Sequence, residues 1–177
     1  MLIISSKVGF RSRVFEVHRD QIVEPGATKA VRDIVVHAGS VVVLPVFPDG
    51  RILLIRQYRY ATRRFLWELV AGGKEPNETP TAGAHRELRE ESGYQARHMR
   101  KLLEIFPSPG VLSERMEIFL AEELTRGRAE PEEDERITVK ILSLPEAVRW
   151  IRTGKIRDAK SVAGILYYAH FIARKKR

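Results

Sequence analysis

The sequence predicts an α/β fold: an α/β/α layered domain around a mixed sheet, preceded by a small antiparallel sheet. Two observations carry this. The runs Val41-Val42-Val43-Leu44-Pro45-Val46 and Ile52-Leu53-Leu54-Ile55 are too continuously apolar for strands with one wet face, so both faces must be covered. Segments with helical spacing and helix punctuation lie between and after the strand-like stretches, which places helices on both sides of the sheet. A chain of 177 residues is long enough for one domain with a substantial core. The expected organisation is a small β subdomain over residues 1–38 and the main domain over 39–177.

Taken in order, Val8 to Val17 and Lys29 to His37 read as two alternating strands separated by the turn Glu24-Pro25-Gly26. Ser40 to Phe47 and Arg51 to Gln57 read as a buried hairpin turned by Pro48-Asp49-Gly50. Trp67 to Val70 is a short strand running into the loop Ala71-Gly72-Gly73. Thr79 is a good N-cap with Pro80 at the first helical position, and Gly93 is the natural stop of that helix. Strand-like stretches follow near Arg97 to Phe106, Met116 to Glu122 and Ile137 to Leu142. Between them lie the irregular Pro107-Ser108-Pro109-Gly110 and a glutamate-rich loop. Two helices close the chain, Leu144 to Thr153, stopped by Gly154, and Ala159 to Arg174, whose Val162, Ile165, Leu166 and Ala169 form a core-facing stripe.

Composition narrows the chemistry. With no cysteine there are no disulfides or thiolate metal sites, and the five histidines show no ligand spacing, so carboxylates are the metal donors on offer. A formal charge of +8 suits polyanionic partners, either nucleotides or nucleic acid. Part of it is the tail Ala173-Arg174-Lys175-Lys176-Arg177, read as a solvated helix end, with an RNA-binding tail as the alternative. No apolar run approaches the ~20 residues that span a bilayer, and Met1-Leu2-Ile3-Ile4-Ser5-Ser6 lacks a secretory pattern, so a cytoplasmic location without a membrane partner is expected.

The densest chemistry lies in Gly72-Gly73-Lys74-Glu75-Pro76-Asn77-Glu78 and Arg86-Glu87-Leu88-Arg89-Glu90-Glu91-Ser92-Gly93-Tyr94. On a helix, Glu87, Glu90 and Glu91 project from one side. They fall near its C-terminal end, where the dipole is negative, at a cost of roughly 0.3–1 kcal/mol per charge, and they repel one another. Arg86 and Arg89 offset part of this. A bound divalent cation would turn the arrangement favourable, because hard cations take carboxylate oxygens readily.

The full spacing, Gly72, Glu78, Arg86-Glu87-Leu88, Glu90-Glu91 and Gly93-Tyr94, resembles the Nudix box of hydrolases that cut a diphosphate linked to another moiety. Outside the box, Arg56-Gln57-Tyr58-Arg59-Tyr60, the lead-in Trp67 to Lys74 and Pro107-Ser108-Pro109-Gly110 resemble the ADP-ribose pyrophosphatase branch, over a stretch from about Arg32 to the last helix. The resemblance implies the Nudix fold and hydrolysis of a nucleoside diphosphate sugar, ADP-ribose before GDP-mannose, with Mg²⁺ or Mn²⁺. It implies metal ligation by the Ala71 carbonyl, Glu87 and Glu91, with Glu90 as further ligand or acidic support and Glu135 as another candidate. Arg86 would orient the carboxylates and Glu78 would join loop to helix. Arg56 would reach the diphosphate; Arg32, followed by Asp33 where the branch has Glu, and Glu114 would lie on the substrate side. In this branch the base comes from a loop after the box. Here that is Glu130-Pro131-Glu132-Glu133-Asp134-Glu135, with Glu133 the choice and Glu135 the alternative. The first strands resemble a sheet through which the branch forms homodimers, where Phe10 and Phe15 could stack on a base. Two rival functions share the box. Hydrolysis of RNA ends or caps ranks lower, because Tyr58, Tyr60, Trp67 and Trp150 are spread as core and edge residues, and no nucleic-acid partner is expected. A non-catalytic ADP-ribose sensor ranks lower still, because the acids and Arg86 are intact.

Overall fold

The computed structural model describes residues 1–129 and 136–176, the last two as backbone alone. The chain forms two compact units. One comprises Met1–Gly39 and Phe106–Arg115, the other Ser40–Ile105 and Met116–Arg177. Phe106–Arg115 therefore belongs by contact with the first unit, although a division at residue 38 leaves it in the second part. Among the described residues no helix is long and apolar enough to cross a membrane.

The first unit is a three-stranded antiparallel sheet, β1 (Leu2–Arg11), β2 (Phe15–Val23) and β3 (Lys29–His37), in that spatial order. The stretch Val8 to Val17 is not the single strand expected. It is instead the tip of a hairpin, because the Ser12 hydroxyl accepts from Val14 and Phe15 N–H and turns the chain there. Every residue of β1 is exposed, including Leu2, Ile3, Ile4, Val8 and Phe10. Phe10 and Phe15 pack on each other, their rings 6.0 Å apart. The Pro107–Gly110 turn returns the chain to β3, where Val35 exchanges backbone hydrogen bonds with Val111 and Ser113.

The second unit carries a mixed four-stranded sheet ordered β7 (Val70–Gly73), β4 (Ser40–Pro45), β9 (Met116–Arg126), β8 (Tyr94–Ile105), in which only β4 and β9 run parallel. An antiparallel three-stranded sheet, ordered β10 (Thr138–Ser143), β5 (Arg51–Arg59), β6 (Arg64–Glu68), completes it. The expected β4–β5 hairpin is thus corrected. The two strands share one bridge, Val46 to Ile52, and then diverge into different sheets. Their continuous apolar runs misled because each strand serves two cores. Val41, Val43, Leu53 and Ile55 join Ala84 and Leu88 of α1 (Pro80–Ser92) on one side. Val42, Leu44, Ile52 and Leu54 join Ala147 and Trp150 of α2 (Leu144–Arg152) and Ile165 of α3 (Ala159–Tyr167) on the other. Period-two alternation between two buried faces leaves no polar position to mark it. The expected strand Trp67 to Val70 is likewise two strands, β6 and β7, joined at Leu69. The last helix is α-helical only to Tyr167 and then winds through a π-helical turn over Tyr168–Ile172.

Candidate active site

The helix that carries the acids is fixed at both ends by the residues that predicted it. Thr79 accepts from Ala82 N–H at 3.2 Å with Pro80 following, and Gly93 ends the helix at φ 74° with its N–H on Arg89. The helix sits on β7 and β4, which turns Glu87 and Glu91 inward at 8% and 3% exposure. Glu87 fits there because the chain opposite is glycine: a Cβ on Gly72 would fall 2.0 Å from a Glu87 carboxylate oxygen. The glycine is a requirement of close approach.

Arg86 is the hub. Its Nε and Nη2 donate to both oxygens of Glu78 at 2.9 and 3.0 Å, and Nη2 also reaches the Gly73 carbonyl at 2.9 Å. Its Nη1 donates to Glu87 at 2.7 Å and Glu90 at 3.1 Å. One guanidinium thus ties the glycine loop to two acids of the helix, and these bonds, Glu78's first, raise its pKa further beyond the ordinary range. The Arg86 guanidinium in turn holds the Glu78 carboxyl below the usual 4.5, helped by a backbone hydrogen bond from Glu75 N–H. Glu91 accepts from Ala71 N–H at 3.0 Å.

Ala71, Glu78, Arg86, Glu87, Glu90 and Glu91 are therefore brought together. Among the described residues no three acids or histidines close into a metal cage by themselves, since Arg86 draws Glu87 and Glu90 to itself while Glu91 turns to the backbone. The donor set nonetheless suits a hard divalent cation: buried carboxylates beside a glycine-lined strand, with neither thiolate nor imidazole among them. Glu133 and Glu135 lie outside the described residues. Arg56 stays exposed on β5 with its guanidinium 4.6 Å over the Phe65 ring. Arg32 and Glu114 belong to the first unit. There Arg32 pairs with Glu24, Asp33 holds Arg19 through two bonds at 2.7 and 2.9 Å, and Glu114 lies 3.8 Å from His37.

A second polar cluster escaped sequence reasoning. Glu68, 1% exposed, accepts two bonds from Arg59 at 2.9 and 2.8 Å and one from Lys160 Nζ at 2.5 Å. Lys160, 6% exposed, also pairs with Asp158 at 2.9 Å. Burial alone would raise the Glu68 pKa, but Arg59 and Lys160 outweigh it and hold the carboxyl low. Asp158 caps α3 at Ser161 N–H, and the Ser161 hydroxyl accepts from Leu69 N–H at 2.7 Å. The available signal was a charged Glu68 beside apolar Leu69-Val70 and an Asp-x-Lys-Ser helix start, but neither names its partner.

Comparison with known proteins agrees with the box and the fold. The NUDIX domain model matches residues 36–164. The ADP-ribose pyrophosphatase of Bacillus subtilis (strain 168) is 34% identical over 160 residues, 89% of this chain and 86% of that protein. The GDP-mannose pyrophosphatase of Citrobacter koseri is 38% identical over 141 residues, 75% of this chain and 73% of that one. A solved structure described as an ADP compounds hydrolase superposes with a TM-score of 0.86 over 99% of this chain and 95% of that one, and at 23% identity it speaks for the fold alone. With the family model spanning the glycine loop, the Arg86 hub and the acidic helix, the chain belongs to the Nudix family and is one of its hydrolases.

Proposed function

We propose that the chain hydrolyses the diphosphate of a nucleoside diphosphate sugar, converting ADP-ribose and water to AMP and ribose 5-phosphate. The observation that carries this is the Arg86 clamp, which joins Glu78 and the Gly73 carbonyl to Glu87 and Glu90 beside the Ala71–Glu91 contact. Nudix enzymes generally use divalent metal ions. In this chain Mg²⁺ or Mn²⁺ would be held by Glu87, Glu91 and the Ala71 carbonyl, with Glu90 and Glu135 in support, and would neutralise diphosphate charge. Arg56 would donate charge-assisted hydrogen bonds to the diphosphate, and Arg32 and Glu114 would recognise the remainder of the substrate. Glu133 is the proposed base. It takes a proton from water as the water oxygen bonds to phosphorus and the bridging P–O bond breaks.

The subdomain at residues 1–38 is proposed to mediate a homodimer, supported by the apolar side chains that β1 leaves exposed, and the enzyme is proposed to act in the cytoplasm. The test is incubation with Mg²⁺ and ADP-ribose, GDP-mannose or capped RNA. AMP from ADP-ribose at the highest kcat/KM is expected; GMP from GDP-mannose as the dominant product would move the substrate, and binding without any product would sink the hydrolase reading. Glycerol-free light scattering at micromolar protein should give a dimer, and a monomer would remove the dimer proposal.

A further inference from the structure

The strand that bears Ala71 is held from two sides, and only one of them belongs to the box. Chain direction explains why a second hold is needed. Leu69 joins β6 to β7, so it lies where the chain leaves one sheet for another: the β5–β6 ladder ends at Glu68 and the β4–β7 ladder begins at Val70. Its buried N–H is satisfied by Ser161 Oγ of α3, at 2.7 Å and 92 residues away in sequence. Ser161 is fully buried and its hydroxyl donates to Asp158 Oδ2 at 2.5 Å, which leaves an oxygen lone pair for Leu69. Asp158 is steadied by Lys160, and Lys160 by Glu68, the residue immediately before Leu69. One turn further along α3, a Cβ on Gly164 would fall 2.9 Å from the Leu69 side chain, so the helix also meets Leu69 by direct packing. Two residues beyond Leu69, Ala71 N–H meets Glu91, and the next residue lies against Glu87.

From this we infer that Ser161, oriented by Asp158 and Lys160, is a positioning residue that sets the place of the Ala71 backbone relative to Glu91 and thereby the affinity of the box for its divalent ion. The inference rests on the proposed function for the identity of that ion's site. A buried, charge-balanced cluster linked by hydrogen bonds resists distortion, and that resistance at Leu69 is transmitted over two residues to Ala71. Groups that orient first ligands in this way typically alter metal affinity or activity by about 10–100-fold when removed.

The experiment is calorimetric titration of the full-length protein with Mn²⁺, alongside steady-state kinetics on ADP-ribose, for wild type, Ser161→Ala and Ser161→Thr. Ser161→Ala should remain folded by circular dichroism, bind Mn²⁺ about tenfold more weakly, and lose kcat with KM within about twofold of wild type. Ser161→Thr keeps the hydroxyl and should restore most of the affinity. Should Ser161→Ala fail to fold, Asp158→Asn weakens the acceptor behind Ser161 without emptying the site and should shift Mn²⁺ affinity the same way. A folded Ser161→Ala, or failing that Asp158→Asn, with wild-type Mn²⁺ affinity overturns the positioning role, since a merely structural role would move the melting temperature alone. A wild-type protein that binds Mn²⁺ but cuts no nucleotide sugar would instead overturn the functional reading and leave this inference standing.

Discussion

Two carboxylate clusters lie on either side of Leu69, one at the end of β6 and one along β7, and they are built on opposite electrostatic plans. Around Arg86 stand Glu75, Glu78, Glu87 and Glu90, with Arg89 paired to Glu90 and Glu91 on the adjacent turn, so two cations face five acids. Around Glu68 stand Arg59, Lys160 and Asp158, two acids against two cations. The second is complete as it is: each charge has an opposite neighbour and the burial penalty is met within the protein. The first carries surplus negative charge at the C-terminal end of a helix, where the dipole adds to the repulsion. The difference separates a cluster that balances its own charge from one that a bound cation would stabilise.

The largest effect should come from unbalancing the balanced cluster. Lys160→Met leaves the buried Glu68 and Asp158 to share Arg59, and loss of one partner of a buried pair costs about 3–5 kcal/mol. Urea denaturation should show that loss. A change below about 1 kcal/mol would mean that Arg59 alone compensates Glu68 and that the two clusters are less different than their charges suggest.

Removing an acid from the unbalanced cluster should do the reverse. In Glu91→Gln the side-chain oxygen can still accept from Ala71 N–H while a charge repelled by its acidic neighbours is gone, so metal-free stability should fall by clearly less than in Lys160→Met. The kcat on ADP-ribose should fall by about two decades, roughly 2.7 kcal/mol of barrier. Glu133→Gln should lower kcat by a similar factor with KM little changed; near-normal turnover would pass the base role to Glu135. Metal addition probes the same contrast. Mn²⁺ at about 100 times its Kd should raise wild-type stability by about 2.7 kcal/mol and that of Glu91→Gln by clearly less, read as unfolding midpoints with and without metal. Equal gains would place the ion elsewhere.

How much of this was legible depends on sequence distance. The box was readable because its parts lie within 22 positions and its helix announces both ends through Thr79-Pro80 and Gly93. The core strands were readable as buried, but their partners were not: nothing local in Val41–Val46 or Ile52–Ile55 tells that the two runs enter different sheets. The Glu68–Lys160 pair joins residues 92 positions apart, so the signal at each end is a polar residue in an apolar setting with no sign of its mate. Val8–Val17 failed for another reason: Ser12-Arg13-Val14 turns the chain by side-chain hydrogen bonds without a glycine or proline to announce it.

The smallest expected effect concerns Glu78, the acid that ties the glycine loop to the helix through Arg86. The Glu78 carboxyl is held below the ordinary 4.5, chiefly by the Arg86 guanidinium. A carboxylate whose folded pKa is depressed contributes stability above its unfolded pKa and loses it as pH falls through the folded value. Wild type and Glu78→Gln, both metal-free, should therefore differ in stability at pH 6, and the gap should start to close below about pH 4.5 and vanish once Glu78 is protonated in the folded state as well. Thermal melts of the pair between pH 3 and pH 6 measure it. A gap that stayed constant with pH would show that Glu78 acts through shape and hydrogen-bond count alone, and the loop-to-helix tie would then owe nothing to the charge of Arg86.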